Sequence, residues 1–230
     1  PAKSAGNVWN MPWPRPAAEA VVDAAVRIAE WAWSEHRMAG LFGLDALLTD
    51  DGRVFLNEIN CRNQGTTEVS GVNQQLRGLP PFTVAHLAVL LGGRVDWLPD
   101  PDVFNAATID AATSAAPGPY YLKLRHRGTH PVTVDGLRGP GIYQPVGGGL
   151  RWVGPGSHPA QAGPGQVLLA TLPEPDVVCL PGAEIGTAEA ITTADGPFET
   201  PHSLSAAGRR LLAALDHHLV PANAPEGKAS

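Results

Sequence analysis

The stretch LNEINCRNQGTTE, residues 56–68, sets Glu58, Asn60 and Arg62 on alternate positions of a strand-like run. Alternate positions of a strand share a face. Upstream, FGLDALL (42–48) carries Asp45, and TDDG (49–52) separates it from RVFLNEIN (53–60). Asp-Gly between two such runs predicts a β-hairpin. A two-residue loop places Asp45 directly opposite Glu58, and a four-residue loop places it diagonally. In both registers Asp45, Glu58 and Asn60 share a face, whereas a three-residue loop or a bulge would separate them. Carboxylates at such range repel unless a cation lies between them. Two carboxylates and an amide oxygen suit a hard ion, Mg²⁺ or Mn²⁺, over zinc. Arg62, just beyond, could grip a phosphate or carboxylate with its two-pronged guanidinium. The competing reading is a solvated acidic hairpin with Asn60 as a turn residue. The apolar neighbours Leu44, Leu56 and Ile59 argue for half-buried carboxylates, which need a partner.

The elements that would position these groups follow from periodicity and punctuation. Residues 1–16, with prolines at 12, 14 and 16, read as loop. A helix is predicted over 17–38, its stripe Val21, Ala25, Ile28 and Ala32 widened by Trp31 and Trp33 to pack on a sheet, with Gly40 as its stop. After the hairpin, 61–81 reads as a long polar loop, and such length favours function. A helix capped by Thr83 would bury Val84, Leu87, Ala88 and Leu91. Residues 96–118 read as a linker. From 119 to 220 short strands (YYLKLRHR, GIYQ, LRWV, QVLLATL, VVCL, AEAITT) alternate with Gly and Pro, and a last helix covers about 203–219. The tail 221–230 is expected to be disordered. The fold class is thus α+β: helices on an antiparallel sheet over 1–95, then a small β-rich domain.

Composition narrows the function classes. Apolar residues make up 43% of 230 residues, enough for a core, while the formal net charge of −6 argues against nucleic acid or an anionic membrane as partner. Two distant cysteines, Cys61 and Cys179, do not form a disulfide framework, so a reducing cytoplasm is expected. Cys61 is expected to pack on the face away from Asn60 and Arg62. The start, PAKSAGNVWN, has neither a signal pattern nor an initiator methionine, so the chain is expected to begin mid-protein.

At Asp45 and NEINCR (57–62) the sequence resembles the ATP-grasp superfamily of ligases. That family closes its site with an acidic strand followed by a strand ending in Glu-x-Asn, often Glu-x-Asn-x-Arg. The match covers roughly 5–92 and is closest in look to bacterial peptide or amino-acid ligases of the pheganomycin type. The loop lacks the Ser-Pro-Gly form of D-alanine-type ligases. The resemblance implies that Asp45, Glu58 and Asn60 hold Mg²⁺ on the phosphates of ATP. It also implies that Arg62 steadies the phosphoryl group and that Gln64, Gly65, Thr66 and Thr67 form a substrate loop. The implied reaction is ATP activation of a carboxylate to an acyl phosphate, which an amine then attacks. The family's upstream lysines and glycine-rich lid have no counterpart here. The chain is therefore expected to be the C-terminal half of such an enzyme, inactive without the ATP-binding half, with a homodimer possible. The alternative is a non-catalytic, degenerate grasp module that supports a β domain in binding a partner.

Other candidates rank lower. His126 and His130 in LRHRGTH, with Arg125 and Arg127, read as polar surface. His217-His218 suit the dipole at a helix C-terminus. The run 147–149, GGG, follows no strand–helix pattern and is not a phosphate loop.

Overall fold

The structure, a computed structural model, describes residues 4–9, 11–114, 117–192, 196–200 and 202–222. The elements in chain order begin with β1 (Gly6–Val8), α1 (Arg15–His36), β2 (Gly43–Leu48), β3 (Val54–Asn60), α2 (Thr67–Leu76), α3 (Phe82–Leu90) and α4 (Pro101–Thr113). They continue with β4 (Gly118–Arg125), β5 (Val132–Val134), β6 (Gly141–Val146), β7 (Gly149–Gly154), β8 (Val167–Ala170) and β9 (Glu184–Thr192). The last are β10 (Phe198–Thr200), β11 (Ser203–Leu204), α5 (Ala206–Asp216) and β12 (Leu219–Pro221). The protein is mixed α+β. No helix among the described residues is long and apolar enough to cross a membrane. The chain divides into two compact units, Trp9–Gly118 and the remainder, Pro1–Val8 with Pro119–Ser230.

In the first unit, α1 starts earlier than the prolines suggested. Pro16 falls in its first turn, where a missing N–H costs nothing. The helix ends at Arg37, which takes a left-handed conformation (φ 51°) and caps with its N–H, three residues before Gly40. Its buried side is a line of alanines, Ala17, Ala18, Ala24 and Ala32. Trp31 and Trp33 point outward, Trp31 edge-on to His36 and Trp33 beneath the Arg37 guanidinium. The expected tryptophan-to-sheet packing is therefore corrected. The helix does lie against β2 and β3, and its small alanines also let α4 approach, with the Trp13 N–H bonded to the Ala112 carbonyl (2.8 Å) and Arg15 paired with Asp110.

Helix α4 stands inside the stretch read as a linker. Its signal was Asp100-Pro101: Asp100 accepts from the Asp102 N–H (2.9 Å), and proline occupies the first turn. Helix α2 likewise stands inside the expected polar loop. Helix α3 begins after Pro81 with no side-chain cap from Thr83. Its sequence, FTVAHLAVL, is apolar nearly all round, so periodicity could not choose the inner face. Ala85 is buried, His86 turns inward to accept from the Leu41 N–H (3.0 Å), and Val84, Leu87 and Leu91 stay exposed, Leu91 at 86%.

In the second unit a six-stranded sheet runs β1-β4-β9-β8-β6-β7. Strand β1, inside a stretch read as loop, pairs antiparallel with β4, Val8 opposite Tyr120. The turn between β6 and β7 uses Gly147 and Gly148, both at positive φ (58° and 85°), which explains the glycine run without a phosphate. Helix α5 is capped by Ser205, whose Oγ accepts from the Gly208 N–H (3.1 Å), and its Leu211, Leu212 and Leu215 join Leu122, Leu124, Tyr143, Leu169 and Ile185 in the core. The last helix is shorter than expected: Leu204 belongs to β11 and Leu219 to β12. Strand β12 pairs with β5 through Pro221, the first residue of the tail expected to be disordered, and residues 223–230 of that tail lie outside those described.

Candidate functional site

The hairpin of β2 and β3 reaches the expected facing arrangement by an unexpected route. Leu48 pairs with Val54, leaving a five-residue loop, 49–53, held by the Thr49 N–H on the Arg53 carbonyl (3.0 Å) and by Gly52 at φ 81°. Continued unbroken, that odd register would put Asp45 opposite Asn57 and Glu58 on the other face. A bulge intervenes: Ala46 pairs with Leu56 and Asp45 with Glu58, so Asn57 is the extra residue. Odd loop and bulge cancel. Asp45, Glu58 and Asn60 share one face.

On that face Asn60 Nδ2 donates to Glu58 Oε1 at 3.0 Å. Asp45 titrates above its ordinary range, first because burial disfavours its charge, then because Glu58 repels and hydrogen-bonds it; the Arg62 cation pulls it partly back. Arg62 is exposed, with Nη1 donating to the Asn63 carbonyl (3.1 Å). The neighbours Leu56 and Ile59 are each nearly half exposed, so the half-burial belongs to Asp45 and Asn60 more than to Glu58. Cys61 is exposed, contrary to the packing role expected of it.

Gly43 pairs with Asn60 and lies two residues from Asp45, on the same face. A Cβ there would meet the Gln64 carboxamide at 2.2–2.4 Å. Gln64 therefore lies on the acidic face, in space only a glycine leaves open. Thr66 and Thr67 anchor it: Gln64 Nε2 donates to Thr66 Oγ1 (3.0 Å) and the Gln64 N–H to Thr67 Oγ1 (2.9 Å). Gly65 sits exposed between them. The structure thus gathers Asp45, Glu58, Asn60 and Gln64 on one face, with Arg62 close enough to bias Asp45 and Thr66-Thr67 opening α2.

The donor set suits a hard divalent ion: two opposed, mutually repelling carboxylates beside an amide. Among the described residues no group of three or more His, Cys, Asp and Glu side chains is placed to hold a metal. A cation here would depend on Asn60 and on oxygens from outside the protein, the usual habit of Mg²⁺.

Sequence reasoning passed over the inner face of α2. Ser70, Asn73, Gln74 and Arg77 fall three and four apart, one polar stripe on a helix. The stripe faces in, not out. Asn73 is 3% exposed, and Gln74 is buried with Oε1 accepting from the Phe82 N–H (3.0 Å). Asn73 Oδ1 and Arg77 Nε are buried with no hydrogen-bond partner. Each such atom costs on the order of 1–3 kcal/mol. Both residues line an open cavity of about 240 Å³ walled by Phe42, Leu79 and Phe82 and bordered by Gly43 and Gln64. The signal was legible as T-T-x-x-S-x-x-N-Q-x-x-R (66–77), a helical repeat of polar residues.

Of the histidine and arginine candidates of the second unit, His126, His218, Arg125 and Arg127 are engaged within the fold. His126, expected at the surface, is buried, with Nε2 2.6 Å from the His130 carbonyl and Nδ1 accepting from the Gly128 N–H (3.3 Å). Arg125 pairs with Glu184 (3.1 Å) and Arg127 with Asp216. His218 Nδ1 lies 2.9 Å from the Asp135 carbonyl while Nε2 accepts from the Leu150 N–H (3.0 Å), pinning β7 beside the end of α5.

Comparison with protein-family models, with curated proteins and with solved structures finds no match to this chain.

Proposed function

We propose that the unit Trp9–Gly118 supplies the phosphate- and substrate-facing half of an ATP-dependent carboxylate–amine ligase of the ATP-grasp kind. The observation that carries this reading is Asp45 directly opposite Glu58, with Asn60 bonded to Glu58 on the same face. Asp45, Glu58 and Asn60 would hold Mg²⁺ or Mn²⁺, which when bound supplies charge neutralisation for the phosphates of ATP. Arg62 lies one step further along the chain, exposed and free to turn its guanidinium toward a transferring phosphoryl group or an acyl phosphate. Gln64, Gly65, Thr66 and Thr67 place a carboxamide, a flexible backbone and two hydroxyls beside that face to orient the substrate carboxylate. The chemistry needs no nucleophilic side chain, because the amine substrate attacks the acyl phosphate and phosphate leaves. Positioning and electrostatics carry the rate.

The test is ADP release by the protein expressed from its complete reading frame, with Mg²⁺ and a panel of amino acids. Glu58→Gln and Asn60→Ala should each lose at least the 10–100-fold, roughly, that even outer-shell metal partners cost. Turnover at the wild-type rate in both variants refutes the assignment.

A further inference from the structure

We infer that the cavity behind α2 is a binding site for an apolar α-amino acid, held by Arg77 and Asn73. This rests on the ligase reading for its role in the reaction, and on the cavity alone for binding.

The two unpartnered atoms are chemically opposite. Arg77 Nε is a cationic donor and seeks an anion; Asn73 Oδ1 is an acceptor and seeks an N–H or O–H. They stand one helical turn apart, so their Cβ atoms are about 5–6 Å from each other. A carboxylate and an ammonium carried on one Cα, each reaching out by a hydrogen bond, can meet two groups so placed. An inorganic phosphate could meet Arg77 with an oxygen and Asn73 with its P–OH, but it would leave the carbon-lined part of the cavity unfilled. A neutral apolar molecule leaves both atoms unpaired.

The remaining walls favour an uncharged side chain. Phe42, Leu79, Phe82 and Ala107 present carbon beside the hydroxyls of Thr83 and Thr108, and no acidic residue lines the cavity among the described residues. Phe82 is held in place by stacking on Phe104 (centroids 4.6 Å apart) and by its N–H on Gln74 Oε1. A volume of about 240 Å³ lies below the roughly 300–1,000 Å³ of pockets for drug-sized ligands and fits one amino acid. Because Gly43 and Gln64 form part of the same lining, the occupant sits beside the Asp45–Glu58–Asn60 face, where an acceptor amine or a carboxylate awaiting activation is needed.

The experiment is calorimetric titration of the chain with L-leucine and L-phenylalanine in EDTA, alongside 4-methylpentanoate and isopentylamine, which each lack one charged end of leucine. The expected result is leucine or phenylalanine binding, with both truncated analogues weaker by about tenfold or more. Arg77→Gln and Asn73→Ala should weaken binding similarly, with circular dichroism confirming the fold. If either variant fails to fold, the analogue series on the wild type decides. No heat from either amino acid up to about 10 mM, equal affinity for leucine and its truncated analogues, or unchanged affinity in a folded Arg77→Gln overturns the inference. The ADP-release assay on the protein expressed from its complete reading frame separates the two readings. Amino-acid binding without ADP release upholds the site and removes the ligase role; ADP release without amino-acid binding at this cavity does the reverse.

Discussion

Asp45 and Glu58 face each other across the β2–β3 hairpin only because Asn57 is bulged out. A five-residue loop and a bulge each shift the register by an odd step, and together they restore the pairing of two like charges. Directly opposed carboxylates are unfavourable, so this register works against the stability of the hairpin itself.

Replacing Asp45 by Asn should therefore stabilise the metal-free protein by about 0.2–1 kcal/mol while weakening Mn²⁺ binding. The pH dependence has a definite sign. Burial and Glu58 raise the Asp45 pKa in the folded state, so its contribution is full below the ordinary carboxylate range and is lost as pH rises through the raised value. Thermal melts of wild type and Asp45→Asn should converge on acidification and separate toward neutral pH, and Mg²⁺ should close the gap at neutral pH. A gap that does not change between acid and neutral pH refutes the repulsion.

Gly43→Ala should separate function from fold. Gly43 has no left-handed backbone to relax, and the clashing atoms are the mobile end of Gln64. Stability should change by less than about 0.5 kcal/mol. Gln64 should leave the acidic face, with KM rising more than kcat falls in the ADP-release assay. A loss of several kcal/mol in urea melts would contradict this.

The two thiols should react very differently. Cys61 is exposed; Cys179 is buried against Val132, and burial pushes its thiol pKa up. A maleimide should label the native chain once and the urea-unfolded chain twice, as counted by mass spectrometry.

Much of this was legible in the sequence, and what was not has physical reasons. The hairpin followed from alternation and Asp-Gly. Its facing carboxylates were expected from a two- or four-residue loop, but the five-residue loop delivers them only through the bulge at Asn57, which no residue pattern announces. The short strands after residue 119 followed from apolar runs between glycines and prolines. Helix α2 was missed because only Val69 and Val72 give its buried face an apolar period, while Asn73 and Gln74, buried beside them, are polar and dilute it. The inner face of α3 was misjudged because leucines surround that helix and one histidine decides its orientation. Strand β1 was invisible because three residues carry no period, and their partner β4 lies more than a hundred residues away.

Core substitutions should be costly in the second unit and cheap at the outer face of α3. Leu215 is fully buried, and Leu215→Ala should lose about 2–5 kcal/mol. Leu91→Ser should stay within about 0.5 kcal/mol. Urea unfolding followed by circular dichroism compares the two.

Alkaline pH should destabilise the second unit through Tyr120. Burial raises its phenol to about 12, against about 10 when unfolded. The folded state therefore holds the proton more tightly. Stability is full below about pH 10 and falls as pH rises through about 12. Tyr120→Phe should flatten that fall, measured by melts between these limits.

Val8 opposite Tyr120 makes β1 and β4 a stem, with the residues Trp9–Gly118 as its loop. Folded, that loop has fixed ends; unfolded, it becomes a long flexible tether whose closure costs entropy with every fluctuation. Melting the unit Trp9–Gly118 should therefore fray β1 from the sheet even where no side chain transmits the event. The zipper at residues 6–8 turns the β domain into a sensor of whether its neighbour in the chain is folded.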